Sequence, residues 1–242
     1  MITKMRKILA LIVCAAVLAG TCSFMCCAYN PAAEQDTLNG AEFGKLSANT
    51  SESQKYAQNT VAVFYLCSNW TGLPSLGHIW TYVENVSKKT LKIGTFYILP
   101  GEGVSVGKFA LTRSDGPGIY YNVESYTANL FGMEDSLYLK AEMTMEDVED
   151  FSTRILYSNF WDPLIFNCAS FAIEAWNSVS SQRMFPFVIL PFVARIQMAS
   201  YGAKTNLKMY DPGRNNVFKQ TGLGDDATMR PVSNGTVDTP PG

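Results

Sequence analysis

The chain has 242 residues, of which 47% are hydrophobic and 17% charged, with 19 Lys and Arg against 21 Asp and Glu and a net charge of −2. This balance excludes the strongly basic surface with which proteins bind nucleic acids, so no nucleic-acid partner is expected. The length is enough for one ordinary domain with a sizeable core.

The first 28 residues have the order of a secretory signal peptide. Three basic residues precede an apolar run over residues 8–20, and a stretch of small residues ends at Ala28, as an n-region, an h-region and a cleavage site would. The run is shorter than the roughly 20 apolar residues that a transmembrane helix needs. We therefore expect residues 1–28 to be removed and the protein to be secreted or associated with the cell envelope. A lipid anchor on Cys22 stays an alternative, although Thr21 separates this cysteine from the suitable residues 18–20.

Loss of residues 1–28 changes both the charge and the cysteine count. The remaining chain would carry 16 Lys and Arg against 21 Asp and Glu, and it would keep two of the six cysteines, Cys67 and Cys168. Two cysteines do not make a disulfide framework. They form either one bridge or one special thiol.

The composition divides the rest of the chain into three parts. Residues 29–59 are rich in Ala, Asn, Ser, Thr and Gln without a sustained apolar period, which predicts a disordered tether. Residues 60–222 are expected to form one domain, and residues 223–242 a disordered tail.

The first half of this domain has the pattern of short strands. They are predicted over residues 61–66, 78–83, 91–99, 104–106, 119–123 and 137–140. The first is a nearly continuous apolar run, as in a strand buried on both faces. Turns rather than helices separate these segments, which favours an antiparallel sheet.

Helices are predicted in the second half. Thr144 and Asp147 have the spacing of a capping box for a helix over residues 145–156. A second helix begins after Asn167, a good N-cap, and has apolar residues at helical spacing. A short third helix is expected over residues 191–200. Strands followed by helices predict an α+β domain.

Cys168 lies where a thiol can become reactive. The first turn of a helix offers unpaired N–H groups and a partial positive charge, and cysteines there can have their pKa lowered from about 8.5 to between about 3.5 and 7.5. The same N–H groups could hold an oxyanion. His78 is the only histidine, so a Cys–His pair must use it.

Three readings without catalysis remain open from the residues alone. A cysteine on the apolar face of a helix is usually a core residue, and a lone histidine at the start of a strand is usually structural. A Cys67–Cys168 disulfide is natural in a secreted protein. No metal site is indicated, because one histidine and two distant cysteines lack ligand spacing.

Two segments resemble a known family. Residues 76–83, LGHIWTYV, resemble the Gly-His strand of NlpC-type papain-like cysteine hydrolases, and residues 167–172, NCASFA, resemble their nucleophile helix. The histidine precedes the cysteine by 90 residues, which is the order of the circularly permuted, lecithin–retinol acyltransferase-like branch. The resemblance implies a papain-like α+β fold, an antiparallel sheet packed against the nucleophile helix. It also implies Cys168 as nucleophile and His78 as base, without a cofactor.

The resemblance also implies a third polar group that orients the histidine. With no second histidine in the chain, the candidates are Asn122 and Glu124, expected on one strand, and Tyr97. Trp80 and Tyr82 share the strand face of His78 by the period of two. They are expected either to line a substrate cleft or to pack in the core.

The expected function is thiol-dependent hydrolysis of a peptide or amide by Cys168 and His78, with peptidoglycan stem peptides as the first substrate class. Two alternatives stay open. One is an enzyme acting on lipid acyl esters, and the other is a secreted binding module with a Cys67–Cys168 disulfide. Contact with a membrane is expected only through the signal peptide or a lipid anchor.

Overall fold

The structure is a computed structural model, and it describes residues 57, 59–69, 77–110, 114–132, 136–160, 162, 166–185 and 190–234. All of these lie within the unit Ser51–Gly242. The predicted signal peptide, nearly all of the predicted tether and residues 235–242 of the predicted tail lie outside the described residues.

An antiparallel sheet organises the described part of the chain. The strands are β1 (Ala62–Asn69), β2 (His78–Asn85), β3 (Leu91–Ile93), β4 (Phe96–Ile98), β5 (Gly103–Phe109), β6 (Gly118–Tyr121), β7 (Leu137–Met143), β8 (Lys204–Thr205), β9 (Phe218–Thr221) and β10 (Thr228–Pro231). Eight of them form one sheet in the order β10-β9-β6-β5-β2-β1-β7-β8, and β3 pairs with β4 separately. Each strand pair is antiparallel.

Four helices accompany the sheet in the part of the chain that the structure describes: α1 (Val123–Phe131), α2 (Met145–Leu156), α3 (Cys168–Val179) and α4 (Pro191–Ser200). The α+β class and the helices α2, α3 and α4 are confirmed. The Thr144 hydroxyl accepts from the Asp147 N–H at 3.3 Å, and the Asp147 carboxylate accepts from the Thr144 N–H at 2.8 Å, which is the predicted capping box. Among the described helices, none has the length and apolar character that crossing a bilayer requires.

The core lies on both faces of the sheet, since every residue of the interior strand β1 is buried. On one face Phe64 contacts Phe151 of α2, with ring centroids 5.2 Å apart, and Trp176 of α3, at 6.3 Å. Helix α3 packs against β1, β2 and β5. The other face carries a cluster of buried residues: Val63, Tyr65, Cys67, Trp80, Tyr82 and Met209. The prediction of a strand buried on both faces is confirmed.

The segment 91–99, predicted as one strand, is two. Gly94 has φ 60, in the left-handed region that glycine adopts most readily. A side chain at this position would overlap Tyr121. The chain therefore turns at residues 94–95, and β3 pairs back on β4.

The strand predicted over residues 119–123 was wrong at its end. β6 stops at Tyr121, Asn122 has a left-handed φ of 65, and α1 begins at Val123. Asparagine is among the few residues other than glycine that tolerate this conformation. Glu124 therefore lies in the first turn of a helix rather than on a strand.

The predicted disordered tail was wrong for residues 224–231. A 3₁₀ turn spans Gly224–Asp226, and β10 pairs with β9 along its whole length. Arg230 forms an ion pair with Asp115 at 2.6 Å. Because β10 is a short edge strand with largely exposed side chains, it lacks the apolar alternation by which buried strands are recognised.

Candidate active site

The nucleophile candidate lies at the beginning of α3. The Asn167 side-chain oxygen accepts from the backbone N–H groups of Ala169 at 2.9 Å and Ser170 at 3.1 Å, as expected of an N-cap. These bonds fix Cys168 as the first helical residue, where it is half-buried. The Cys168 sulfur accepts from the N–H groups of Ala169 and of Ile79 on β2.

His78 opens β2 and is buried beside this thiol. Its backbone N–H donates to the Asn69 side chain at 3.1 Å, across the β1–β2 pair. The imidazole hydrogen-bonds the Cys168 side chain, while its Nε2 donates to Glu124 Oε1 at 2.9 Å. Because Nε2 is taken by Glu124, Nδ1 is the nitrogen left for the thiol. The two predicted catalytic residues are thus brought together.

Glu124 is the third group that contacts His78. Its side chain is fully buried in the first turn of α1. The second carboxylate oxygen accepts from the Ser105 hydroxyl at 3.0 Å, and that hydroxyl accepts from the Ser125 N–H at 3.1 Å. Each carboxylate oxygen therefore has a fixed partner, so the group can orient the imidazole.

Asn122 contributes to the site indirectly. Its side-chain oxygen accepts from the Ser105 N–H at 3.3 Å, and its amide donates to the Asn216 carbonyl at 2.9 Å. Its own N–H donates to the Ser105 carbonyl at 2.8 Å. These bonds hold the left-handed turn between β6 and α1, and that turn aims Glu124 at His78.

Tyr97, the remaining candidate for this role, lies elsewhere. It is on β4 and 61% exposed, and the Lys92 ammonium lies 5.9 Å from the centre of its ring. Among the described residues, no hydrogen bond or ring contact joins it to His78.

Trp80 and Tyr82 are core residues rather than the walls of a cleft. Both are buried in the cluster that contains Cys67. Trp80 stacks on His78 with ring centroids 5.7 Å apart, and Phe109 of β5 stacks on His78 at 4.4 Å. The two rings hold the imidazole in place and keep water from it.

Gly107 is a further site residue, and the sequence analysis did not identify it. It lies on β5, where an added Cβ would overlap Glu124 Oε1. The carboxylate reaches His78 only because no side chain stands at position 107. A glycine inside a strand often marks such a close approach, which is the signal that could have found it.

Charges within the site favour a thiolate beside an imidazolium. Burial, the largest influence on His78, opposes its protonation, but the hydrogen bonds and charges of Cys168 and Glu124 outweigh it and raise the pKa of His78 to about 9. Burial also raises the pKa of Cys168. The hydrogen bond and charge of His78, with the N–H groups of Ile79 and Ala169, outweigh this and lower that pKa below its ordinary value.

Cys67 differs from Cys168 in its exposure and in the direction of its pKa shift. Both thiols are free. Cys67 is buried in the cluster on the sheet face opposite Phe64, and burial, with the nearby charge of Glu124, raises its pKa well above the ordinary value. The expected alternative of a Cys67–Cys168 disulfide is therefore contradicted.

The fold and the site define an α+β protein in which an imidazole is hydrogen-bonded to a thiol on one side and to a carboxylate on the other. Comparison with protein-family models, curated proteins and solved structures found no match. In the described residues, no group of three His, Cys, Asp or Glu side chains is placed to hold a metal ion.

Proposed function

We propose that this protein is a cysteine hydrolase of the circularly permuted papain-like type, with Cys168, His78 and Glu124 as its catalytic triad. The observation that carries the proposal is the hydrogen-bonded row of these three side chains at the N-terminus of α3. Nucleophile, base and orienting group in this arrangement are the general form of an activated nucleophile.

The reaction that we propose has two steps. The Cys168 thiolate attacks the carbonyl carbon of an amide, and the imidazolium of His78 gives its proton to the departing amine. A water molecule that loses a proton to His78 then attacks the thioester, and the C–S bond breaks to release the acid and restore the Cys168 thiolate beside the His78 imidazolium. The backbone N–H of Cys168, which has no partner among the described residues, is the donor that we assign to the oxyanion.

The order of the site residues supports the permuted form. His78 on β2 and Glu124 on α1 both precede the nucleophile helix, and β5 and β6, which lie between them in the chain, belong to the sheet on which that helix packs. The resemblance of residues 76–83 and 167–172 to the permuted NlpC-type hydrolases supports the same assignment.

The substrate class that we propose is a peptide of the bacterial cell envelope, bound by a secreted or envelope-associated enzyme. The signal-peptide pattern of residues 1–28 and the resemblance support it. One observation favours the second candidate, a lipid acyl ester. Phe160 and Phe166 are 66% and 46% exposed and contact each other with ring centroids 5.8 Å apart, close in sequence to Cys168. Such an exposed aromatic pair suits an apolar chain.

Alkylation with iodoacetamide tests the triad without a known substrate. Native Cys168 should react well below pH 8, because its thiolate is stabilised by His78, while Cys67 should stay inert. His78→Ala and Glu124→Gln should each reduce the rate at pH 6.5 by about tenfold or more. Glu84→Gln, on the strand of His78 but bonded to Tyr65, is the matched control and should react like the wild type.

Mass mapping of the alkylated peptide assigns the rate to each cysteine. The proposal would be wrong if Cys168 were alkylated with the pH dependence of an ordinary thiol and if His78→Ala, in a folded protein, did not change that rate.

A further inference from the structure

Lys108 is a buried cation that the triad does not use. It lies on β5 between Gly107 and Phe109, which face Glu124 and His78. Because neighbouring residues of a strand point to opposite faces, Lys108 points toward the face on which α3 packs. Its side chain is enclosed, with the residue only 4% exposed. Its ammonium lies 5.7 Å from the ring centre of Phe166, two residues before Cys168.

This ammonium lacks a partner of opposite charge in the described part of the chain. No carboxylate there lies within 4.0 Å of it. The carboxylate with the largest influence on it, Glu174, is paired with Arg154 at 3.4 Å. Burial lowers the pKa of Lys108 to about 8, and the negative charges of Glu174 and Cys168 act against that decrease. The group is therefore still largely charged at neutral pH.

An unpaired buried charge costs stability, and an apolar side chain of the same length would fill the space without this cost. A structural role therefore does not explain a lysine here. Its location explains the lysine better: the charge of Cys168 acts on Lys108, whose ammonium lies beside Phe166. A partly desolvated ammonium there attracts an anion more strongly than one in water.

We propose that Lys108 is a specificity residue that binds a carboxylate of the substrate, carried a few bonds from the carbonyl that Cys168 attacks. The inference rests on the proposed function and adds its substrate class, an anionic acyl donor. A single ammonium beside the Phe166 ring suits one carboxylate on a short hydrocarbon spacer. The neutral amide of the same shape would bind less well.

Iodoacetate and iodoacetamide form a matched pair of probes for this contact. Both alkylate Cys168 by forming an S–C bond as iodide leaves, and they differ only in a carboxylate against an amide. At pH 7, Lys108→Met should lower the ratio of the iodoacetate rate to the iodoacetamide rate by about fivefold or more, because one nearby positive charge is lost. Lys108→Arg should keep most of the ratio.

Lys92→Met is the control, since it removes the same charge from an exposed position on β3. Its ratio should equal that of the wild type. An unchanged ratio in Lys108→Met, or an equal decrease in Lys92→Met, would overturn the proposal. If Lys108→Met does not fold, Lys108→Gln gives the same comparison. The ratio of the two rates can be measured whether Cys168 reacts fast or slowly. A slow reaction of Cys168 with both reagents would contradict the triad, whereas the effect of Lys108→Met on the ratio would still decide the role of Lys108.

Discussion

At the scale of single residues, the position of the Glu124 carboxylate depends on a missing side chain. Glu124 crosses β5 over Gly107 to reach His78, and its other oxygen is held by Ser105. A fully buried carboxylate is stable only where hydrogen bonds and an opposite charge compensate for its desolvation. The site therefore tolerates little displacement of this group.

Gly107→Ala should disconnect the carboxylate from His78. The new methyl group would occupy the place of Glu124 Oε1, so His78 would lose its partner and Cys168 alkylation at pH 6.5 should slow by about tenfold. Gly103→Ala is the matched control on the same strand, because its Cβ would meet the Tyr82 ring and not Glu124. It should lower the free energy of unfolding without changing the thiol rate. Equal thiol rates in the two variants would contradict the role of Gly107.

At the scale of elements, α3 couples the stability of a helix to the reactivity of its first residue. The Asn167 cap holds the N–H groups that surround Cys168. The cap of α2, Thr144, also accepts from a backbone N–H of the first helical turn, but this helix has no catalytic residue. Comparing substitutions at the two caps therefore distinguishes an effect on the stability of the protein from an effect on the reactivity of Cys168.

Asn167→Ala should lower the free energy of unfolding by about 1 kcal/mol, the usual cost of losing an N-cap. It should also move the pH midpoint of Cys168 alkylation upward, because the first turn frays where the thiolate is stabilised. Thr144→Ala should give a similar loss in urea unfolding with no change in the midpoint. A midpoint that moves in both variants would point to general loosening instead.

The sequence predicted those elements whose signal is local. Caps indicated α2 and α3, apolar spacing also indicated α3, and the single histidine indicated the partner of Cys168. The turn at Asn122 could not be predicted, because its left-handed conformation is held by contacts with Ser105 and Asn216, far apart in the chain. Without that turn, Val123 and Glu124 continue the alternation of a strand. Glu124 therefore remained one of three candidates.

At the scale of the whole molecule, the segment that follows β10 contributes to the core. Val232, which follows β10, is buried in a cluster with Phe109, Tyr120, Val123 and Val217. Phe109 in turn stacks on His78. The segment that follows β10 is thus connected to the active site through one layer of side chains. The signal peptide and the tether before the domain stay predictions.

Ending the chain after Gly222 should destabilise the domain. The truncation removes β10, the Arg230–Asp115 ion pair and the buried Val232, and burial of one valine alone contributes about 1.5–3 kcal/mol. We expect a loss of at least about 2 kcal/mol in urea unfolding. Ending the chain after Asn234 is the control and should leave the unfolding free energy unchanged. Equal stability of both truncated proteins would contradict a structural role for β10.

The stacking of Trp80 on His78 makes the proton on the imidazole optically visible. An imidazolium in contact with an indole quenches its fluorescence, and a neutral imidazole does not. With the pKa of His78 raised to about 9, Trp80 should be dim at neutral pH and brighten as the pH rises through about 9. The difference between wild type and Trp80→Phe isolates this emission from the other three tryptophans. A midpoint near 6.5 would mean that the imidazole is neutral at physiological pH, whereas one near 9 would give a label-free optical titration of the site.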